Sequence, residues 1–376
     1  MSVAELMSNP HHEDDPASPS LPGPDSQSSA SNSDEPTAAA PRRWRTVFAM
    51  ALVVLLIAEV AARVLGTRLD NPDWNVPELA THIDNIERIT ETEGNTIDTL
   101  VIGSSSPGAG FDPVELTAAS DSAGQTYNGN LFGPSMGAIR LVAEDLLLDL
   151  TDPDTVILGI TSRALNDNSV DQARMQDSLV TSVGWRRVEG TASSFDGLNQ
   201  AAGRISSLVR YRPLLRDPEQ VARRLTSPSG PPVNEFGKLT SRDGLTYELN
   251  DSHAAQERSA LGNWSIDGTP SNGEPSQMDE LRALITTIEG QGRELIIVEM
   301  PVLTAPWWSL HPDPEQNRAD YEAAIDLLIA ETGVEYWDAN GEETWTENDF
   351  GDPNHLNDVG AKRLSDLAAN YLDNRQ

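Results

Sequence analysis

Cysteine is absent from all 376 residues, which excludes disulfides, thiolate metal ligands and a cysteine nucleophile. Basic residues are scarce: 26 Lys and Arg stand against 59 Asp and Glu, giving a net charge of −33. Binding the phosphates of nucleic acid needs a basic surface, so nucleic acid is not an expected partner. No cluster of potential ligands has metal-site spacing, so neither a metal nor another cofactor is predicted.

The first 40 residues lack Lys and Arg altogether and carry almost no large apolar side chain. They are rich in Pro, Ser, Asn and Asp instead. Such a segment cannot bury enough apolar surface to offset the entropy lost on ordering. We therefore predict a disordered acidic tail over residues 1–45.

A charge-free run follows a basic cluster. Three arginines within residues 42–45 precede Thr46–Ala58, which has no charged side chain. With the apolar residues beyond it, the run reaches about 20 residues, enough to span a bilayer core. Glu59 and Arg63 interrupt its outer part, but they lie four apart on a helix and can pair. We predict a transmembrane helix over residues 46–66.

The basic flank also predicts the orientation of this helix. By the positive-inside rule the tail is cytoplasmic, and the larger C-terminal part lies outside a cell membrane that the chain crosses once. A cleaved signal peptide is the main alternative, but the long acidic tail before the run is unusual for one. A buried helix of a soluble protein is the other alternative.

Beyond a polar connector over residues 67–95, strands and helices alternate. Strands are predicted at Thr99–Ile102, Gln125–Asn128, Thr155–Ile160, Glu294–Met300 and Val334–Asp338, and helices at Pro77–Thr92, Met136–Leu150, Gln277–Glu289, Tyr321–Thr332 and Leu356–Leu372. This alternation predicts an α/β domain over residues 96–376, a three-layer sandwich whose mainly parallel central sheet has helices on both faces. The order is lost at about 166–276, which we interpret as a partly helical insertion near the site, acting as a lid.

The stretch Thr99–Pro107, TLVIGSSSP, places serines on a glycine turn at the end of the first strand. That edge of a parallel sheet is where open α/β folds bind ligands, and a serine there can act as a nucleophile if a base reaches it. The candidate base is His355, three residues after Asp352 in the sequence DPNH. One ring nitrogen can face a serine while the Asp352 carboxylate orients the other.

Four short stretches resemble the sequence blocks of one enzyme family. Gly103-Ser104-Ser105 is similar to the first block, Gly-Asp-Ser, and Asn128–Gly133 to the second, Asn-x-x-x-x-Gly. Leu158–Thr161 falls at the third block, with Thr161 in the place of its Asn, and Asp352–His355 matches the last, Asp-x-x-His. Over about residues 96–376 the chain resembles the SGNH (GDSL-like) hydrolases. It is most similar to their membrane-anchored, extracytoplasmic branch related to polysaccharide O-acetylation proteins.

The resemblance implies a flavodoxin-like fold, a function and a set of roles. Ser105 would be the nucleophile, His355 the base and Asp352 its orienter, with oxyanion donors at Ser105, Gly133 and Thr161. The protein would then be a serine esterase or O-acyltransferase. Its substrate would be an acylated cell-surface carbohydrate or another ester.

Each motif also has a purely structural interpretation. GSSS alone is ordinary turn chemistry, and Asp-Pro-Asn-His can cap a helix. The function alternative is a catalytically silent SGNH-like domain that binds a glycan or an envelope assembly partner. Trp307 and Trp308 are predicted to stack on a sugar ring, and a packed aromatic pair under a loop is the alternative for them.

Overall fold

The structure, a computed structural model, describes residues 41–66, 71–168, 170–216, 222, 233–249, 251–266 and 275–375. The tail predicted over residues 1–45 lies outside the described residues as far as residue 40. By its contacts the chain divides into two units, Met1–Val54 and Leu55–Gln376. Every strand of the described chain belongs to the second unit.

One long helix, α1 (Pro41–Gly66), contains the charge-free run. Its stretch Arg43–Gly66 is long and apolar enough to cross a membrane. The large apolar side chains of the run are exposed, among them Phe48, Leu52 and Leu56. A helix that is apolar all round is typical of a membrane span or of the interior of a large protein.

Five parallel strands form the central sheet, in the order β2-β1-β3-β4-β5. Their bounds are β1 Thr99–Gly103, β2 Thr126–Asn128, β3 Thr155–Ile160, β4 Glu294–Glu299 and β5 Glu335–Trp337. β1 and β3 pair from Thr99 opposite Thr155 to Gly103 opposite Gly159. The prediction of an α/β fold around a parallel sheet is confirmed.

The sheet is buried on both faces. Successive side chains along a strand point to opposite sides, and both sets are covered here. On β1, Leu100 and Ile102 join one hydrophobic cluster and Val101 joins another. Helices α2 (Pro77–Glu87), α5 (Met136–Val142), α13 (Gln277–Gly290) and α15 (Pro314–Thr332) contribute to the first cluster, and α4 (Pro113–Ala119) and α16 (Asp358–Asn374) to the second. The edge of the sheet that carries the candidate site is thus supported from both sides.

The segment predicted as a polar connector, residues 67–95, belongs to this core wherever it is described. Helix α2 buries Leu79, Ile83 and Ile86, and a π-helical turn, Arg88–Thr92, continues it. Apolar residues at this spacing share one helix face, which packs on the sheet. Helix α2 thus packs in the same hydrophobic cluster as Leu100 and Ile102 of β1.

The chain between residues 166 and 276 departs from the strand–helix alternation, as expected. Its described helices are α7 (Val170–Val180), α8 (Val183–Val188), α9 (Ser194–Ile205), α10 (Ser207–Arg210), α11 (Arg212–Leu215) and α12 (Asp251–Leu261). Three short helices lie outside it: α3 (Ser105–Gly110) follows β1, α6 (Leu148–Thr151) precedes β3 and α14 (Thr304–Trp308) follows β4. Residues 233–249 are not helical. The insertion predicted as one lid therefore has two parts: residues 233–249 pack against the candidate site, whereas α10 contacts the end of α1.

Candidate active site

The loop that carries Ser105 leaves the sheet at Gly103, where the backbone has φ +141°. A Cβ at this position would lie 2.5 Å from the carbonyl oxygen of Gly159 on the neighbouring strand. Only glycine fits there, because the backbone is in a region that side chains disfavour and a close approach adds to the cost. The chain can then turn at once into α3, whose first residue is Ser105 and whose N-cap is Ser104.

The two other candidate residues lie on a tight hairpin. Strand β6 (Phe350–Asp352) pairs antiparallel with β7 (His355–Leu356). Within the turn, the Asp352 carboxylate accepts hydrogen bonds from the backbone N–H of Asn354 at 3.2 Å and of His355 at 3.0 Å. The carboxylate is therefore held by its own loop before it meets the imidazole.

The structure brings Ser105, His355 and Asp352 together. Ser105 Oγ lies 2.8 Å from His355 Nε2, and His355 Nδ1 lies 2.7 and 2.9 Å from the two Asp352 carboxylate oxygens. All three residues are buried. With the proton of the neutral imidazole on Nδ1, donated to Asp352, Nε2 accepts from the serine hydroxyl, as a general base must.

The neighbouring serines are occupied differently. Ser104 Oγ accepts from the backbone N–H of Ser106 at 3.4 Å, as the cap of α3. Ser106 Oγ lies 3.4 Å from the side-chain amide of Asn354. Of the three serines at the turn, Ser105 is the one that contacts His355.

Arg242, in the insertion, contacts the Asp352 carboxylate, and this residue was not predicted from the sequence. Its Nη2 lies 3.1 Å from Asp352 Oδ2. The cation therefore pairs with the oxygen of Asp352 that also lies 2.9 Å from His355 Nδ1. No motif marks Arg242 in the stretch TSRDG, so only the fold could reveal it.

Residues 233–249, which we call the clamp segment, fasten this arrangement. The backbone N–H of Leu239 donates to the carbonyl of Gly108 on α3 at 2.8 Å. Lys238 Nζ lies 3.1 Å from both Asp112 and Asp243. Burial disfavours the charge of Lys238, but the two carboxylates outweigh it and raise its pKa.

The other end of the clamp segment holds the hairpin. Asn357, the N-cap of α16, donates through Nδ2 to the carbonyl of Leu245 at 3.0 Å. The backbone N–H of Glu248 donates to the carbonyl of Gly351 on β6 at 3.2 Å. The clamp segment thus connects α3, which begins at Ser105, to the hairpin that carries His355.

Two predicted oxyanion residues, Gly133 and Thr161, are placed in loops after β2 and β3. Gly133 has φ +69, and the atom nearest to a Cβ built there is Arg163 Nη2 at 3.9 Å. Thr161 is buried, and its carbonyl accepts from the N–H of Ala164 at 3.1 Å. Among the described residues no hydrogen bond joins either of them to Ser105, so their predicted role stays a prediction.

Asn130 is a residue that the sequence analysis did not single out within the second block. A Cβ on Gly108, one turn along α3 from Ser105, would lie 2.2 Å from the Asn130 side-chain nitrogen. The amide therefore rests directly on the nucleophile helix. Its Oδ1 is buried without a hydrogen-bond partner in the described chain. Because the O and N of an amide are assigned only from their partners, this position close to Ser105 is a candidate hydrogen-bond donor to a reacting group.

His82 on α2 holds the loop that carries this amide. Its Nε2 lies 2.8 Å from the backbone carbonyl of Asn130, and its Nδ1 lies 3.0 Å from the hydroxyl of Tyr127. Burial lowers the pKa of His82 to about 4, so the ring is neutral at pH 7. It donates from Nε2 to the carbonyl and acts as a structural support.

Trp307 does not form the sugar platform that the sequence predicted. Its ring is 1 % exposed, and its Nε1 donates to Ser162 Oγ at 3.0 Å. Trp308 is half-buried, with its ring centroid 4.5 Å from that of His311. Trp307 thus matches the packed alternative, whereas stacking of the half-buried Trp308 on a sugar ring stays a prediction.

A second serine–histidine pair lies in this aromatic cluster. Ser162 Oγ is 3.0 Å from His311 Nε2, and burial lowers the pKa of His311 to about 4. The other ring nitrogen faces the carbonyl of Trp307 at 3.4 Å instead of a carboxylate. Because Trp307 already donates to Ser162, the hydroxyl proton points at His311, and the pair is a satisfied buried contact.

No protein-family model matches the chain, and no characterised protein is similar to it in sequence. Among the residues that the structure describes, no group of three His, Asp or Glu side chains is placed to hold a metal ion. The interpretation of the site therefore depends on its own geometry.

Proposed function

We propose that this protein is a membrane-anchored serine esterase or O-acyltransferase of the SGNH type, acting on acyl groups of a cell-surface carbohydrate. The observation that carries the proposal is the contact of Ser105 Oγ with His355 Nε2 at 2.8 Å, with Asp352 on the other ring nitrogen. Serine, histidine and carboxylate in this order are the functional unit of serine hydrolases. Ser105 and His355 are 250 residues apart in the chain, so proximity within a local turn does not account for their contact.

In the first half of the reaction Ser105 Oγ attacks the ester carbonyl while its proton passes to His355 Nε2. The tetrahedral intermediate collapses as His355 returns that proton to the departing alkoxide oxygen, which leaves an acyl group on Ser105. In the second half, water or a sugar hydroxyl attacks the acyl-serine and gives its proton to His355. The second tetrahedral intermediate collapses as the bond from the acyl carbon to Ser105 Oγ breaks and His355 returns the proton to that oxygen. Water completes a hydrolysis and a sugar completes a transfer, and the residues are the same in both.

Asp352 keeps the proton of neutral His355 on Nδ1 and stabilises the imidazolium that forms in each half. Arg242 holds the carboxylate in place through Oδ2. We assign Arg242 as a positioning residue, since it acts through Asp352 and not on the substrate.

The negative oxygen of the intermediate needs preorganised donors. We assign the backbone N–H of Ser105, at the start of α3, and the side-chain amide of Asn130, which rests on the same helix. The family resemblance adds Gly133 and Thr161 as further donors. Loss of one such donor costs roughly 3 kcal/mol of transition-state stabilisation.

The proposal also places the domain. The five-stranded parallel sheet with a hydrophobic cluster on each face is consistent with a three-layer sandwich of the SGNH type. The apolar stretch Arg43–Gly66 would cross the cell membrane once. Its arginine flank favours a cytoplasmic N-terminus and an extracytoplasmic catalytic domain.

A serine-reactive fluorophosphonate tests this assignment on the full-length protein. We expect covalent labelling, with the modified peptide containing Ser105, and loss of the label in Ser105→Ala. Ser162→Ala is the matched control, because Ser162 also contacts a histidine but lacks the carboxylate, and it should be labelled like the wild type. Label on another serine, or none on any, would refute the triad.

A catalytically silent domain that binds a glycan or an envelope partner is the second candidate. It is favoured by one observation, that Thr161 stands in the place of the Asn of the third family block. Absence of labelling together with retention of an acylated glycan on the wild-type protein would establish it.

A further inference from the structure

We propose that helix α9 of the insertion lies in the outer surface of the bilayer, with its apolar face in lipid and with Arg204 and the arginines that follow the helix at anionic headgroups. This proposal rests on the membrane anchorage proposed above. It adds a second membrane contact made by the domain itself. It concerns a surface that the catalytic residues do not use.

Helix α9 has its apolar face exposed. Phe195, Leu198 and Ile205 are 62, 66 and 79 % exposed, and their spacing puts all three on one side of the helix. The opposite side is polar, and its Asp196, Asn199 and Gln200 line a cleft of about 760 Å³, which Phe195 at the edge of the apolar face also lines. An ordinary surface helix has the reverse arrangement, so this face is built to meet an apolar surface.

The end of α1 fixes where this face lies. The Glu59 carboxylate accepts from the backbone N–H of Ser207 at 2.8 Å and of Leu208 at 3.1 Å, at the start of α10. It also accepts from Ser206 Oγ at 2.8 Å and from Arg63 Nε at 2.9 Å. A charge inside an otherwise apolar stretch is thus neutralised and fully hydrogen-bonded, which a membrane environment requires.

This contact lies within the apolar stretch itself. Glu59 precedes Gly66, the last residue of the candidate span, by seven residues, or about 10 Å at 1.5 Å per residue. Amphipathic helices at a membrane surface bury their apolar face to a similar depth, about 5–10 Å. Arg63 Nη2 donates to the carbonyl of Ile205 at 3.2 Å, so the C-terminal end of α9 lies at the level of the lipid boundary.

The charge of the region supports the same partner. Residues 183–216 contain six arginines and two carboxylates, a balance of +4 in a chain with a net charge of −33. Arg204, Arg210, Arg212 and Arg216 are exposed at the end of α9 and beyond it, and all four line the rim of the same cleft. Each arginine near an anionic membrane surface contributes about 1 kcal/mol of attraction. An acidic domain would otherwise be repelled by that surface.

The absence of cysteine makes a direct test possible. Full-length single-cysteine variants carry a nitroxide label in vesicles of phosphatidylcholine and phosphatidylglycerol. Oxygen, which enters hydrocarbon, and a neutral nickel chelate, which stays in water, then compete as relaxation agents. Leu198→Cys is the test site, Leu52→Cys reports the span, and Leu327→Cys, 53 % exposed on α15, is the aqueous control.

We expect the Leu198→Cys label to resemble Leu52→Cys, with loss of most nickel relaxation relative to Leu327→Cys. Phe195→Cys and Ile205→Cys should behave alike, which guards against a local effect of one label. A lipid signal at Leu52 with a water signal at Leu198 would overturn this inference and leave the anchorage intact. A water signal at Leu52 would overturn both. Shielding of Leu198 from both agents would indicate contact with a second copy of the chain and would also overturn it.

The arginines are tested by lipid charge. The Arg204→Gln/Arg212→Gln variant should shift the label at Leu198 toward water in phosphatidylglycerol vesicles, by about 30-fold in the docking equilibrium for two lost arginine contacts. The unsubstituted protein should show a similar shift in pure phosphatidylcholine. Equal docking in both lipids would remove anionic headgroups from the proposal.

Discussion

Glu299, the last residue of β4, is a buried carboxyl that the proposed mechanism does not use. Tyr321 donates a hydrogen bond to its Oε2, and Tyr336 donates to the same oxygen at 3.2 Å. Burial is the main cause that raises the pKa of Glu299, to about 8. Burial likewise raises the pKa of both tyrosines, so they remain donors. At neutral pH the folded protein therefore holds Glu299 mainly as the neutral acid.

The sign and size of the consequence follow from linkage. In the unfolded chain this carboxyl ionises near pH 4.5, and in the folded chain near pH 8. Between these values the folded state binds more protons, so the free energy of unfolding falls as pH rises. The slope is about 1.4 kcal/mol per pH unit, and the total is roughly 3–5 kcal/mol. Stability from this group is complete below pH 4.5 and is lost by pH 8.

Glu299→Gln isolates the effect, because a glutamine keeps an acceptor oxygen for the tyrosines and cannot ionise. Denaturant unfolding of the full-length protein in detergent, followed by tryptophan fluorescence from pH 5 to 8, gives the two slopes. We expect the fall in stability with pH to be smaller in the variant by the amount above. Glu294→Gln, an exposed carboxyl at the other end of β4, is the control and should keep the wild-type slope. Identical slopes for the wild type and Glu299→Gln would mean that the folded protein holds Glu299 ionised.

Three further predictions concern the site and the anchor. Asp352→Asn should lower kcat by about 10⁴-fold in an ester hydrolysis assay, because the wrong imidazole tautomer is then favoured. Arg242→Gln should lower kcat only about tenfold, since Arg242 acts through Asp352. An equal loss in both would contradict a positioning role. Gly103→Ala should lower the free energy of unfolding by roughly 3 kcal/mol or more. Gly190→Ala is the control, because Gly190 also has a positive φ but nothing lies within 4 Å of its Cβ, and it should lower the free energy of unfolding by about 1 kcal/mol. Equal losses would show that the close approach to Gly159 is unimportant. Protease added to intact cells should digest the domain and spare an N-terminal tag, and a digested tag would reverse the proposed orientation.

The sheet could be predicted from the sequence because its three central strands, β1, β3 and β4, are short runs rich in apolar residues. The helix predicted over Met136–Leu150 was less accurate, since a π-helical turn at Ala143–Leu147 separates α5 from α6. The last helix begins at Asp358, two residues later than predicted, because Asn357 caps it and His355 belongs to a strand. Propensity and periodicity do not contain these local hydrogen-bond choices.

The candidate site was predictable in part for a similar reason. Ser105, Asp352 and His355 lie in short motifs, so the residues that must approach one another are marked in the sequence. Arg242 and His82 act through contacts across the fold, Arg242 to Asp352 Oδ2 and His82 to the carbonyl of Asn130 and the hydroxyl of Tyr127. A lone arginine in an insertion and a lone histidine on a helix carry no local signal, and only the tertiary structure reveals their partners.

The clamp segment has a consequence for the order in which the protein becomes competent. Ser105 leaves the ribosome early, the clamp segment follows more than a hundred residues later, and the hairpin with His355 comes almost last. Contacts of such long sequence separation form late in folding, because loop closure must precede them. A chain still being synthesised thus carries Ser105 without His355. Under the proposed function, the site could act on an ester only after the hairpin has folded against α3.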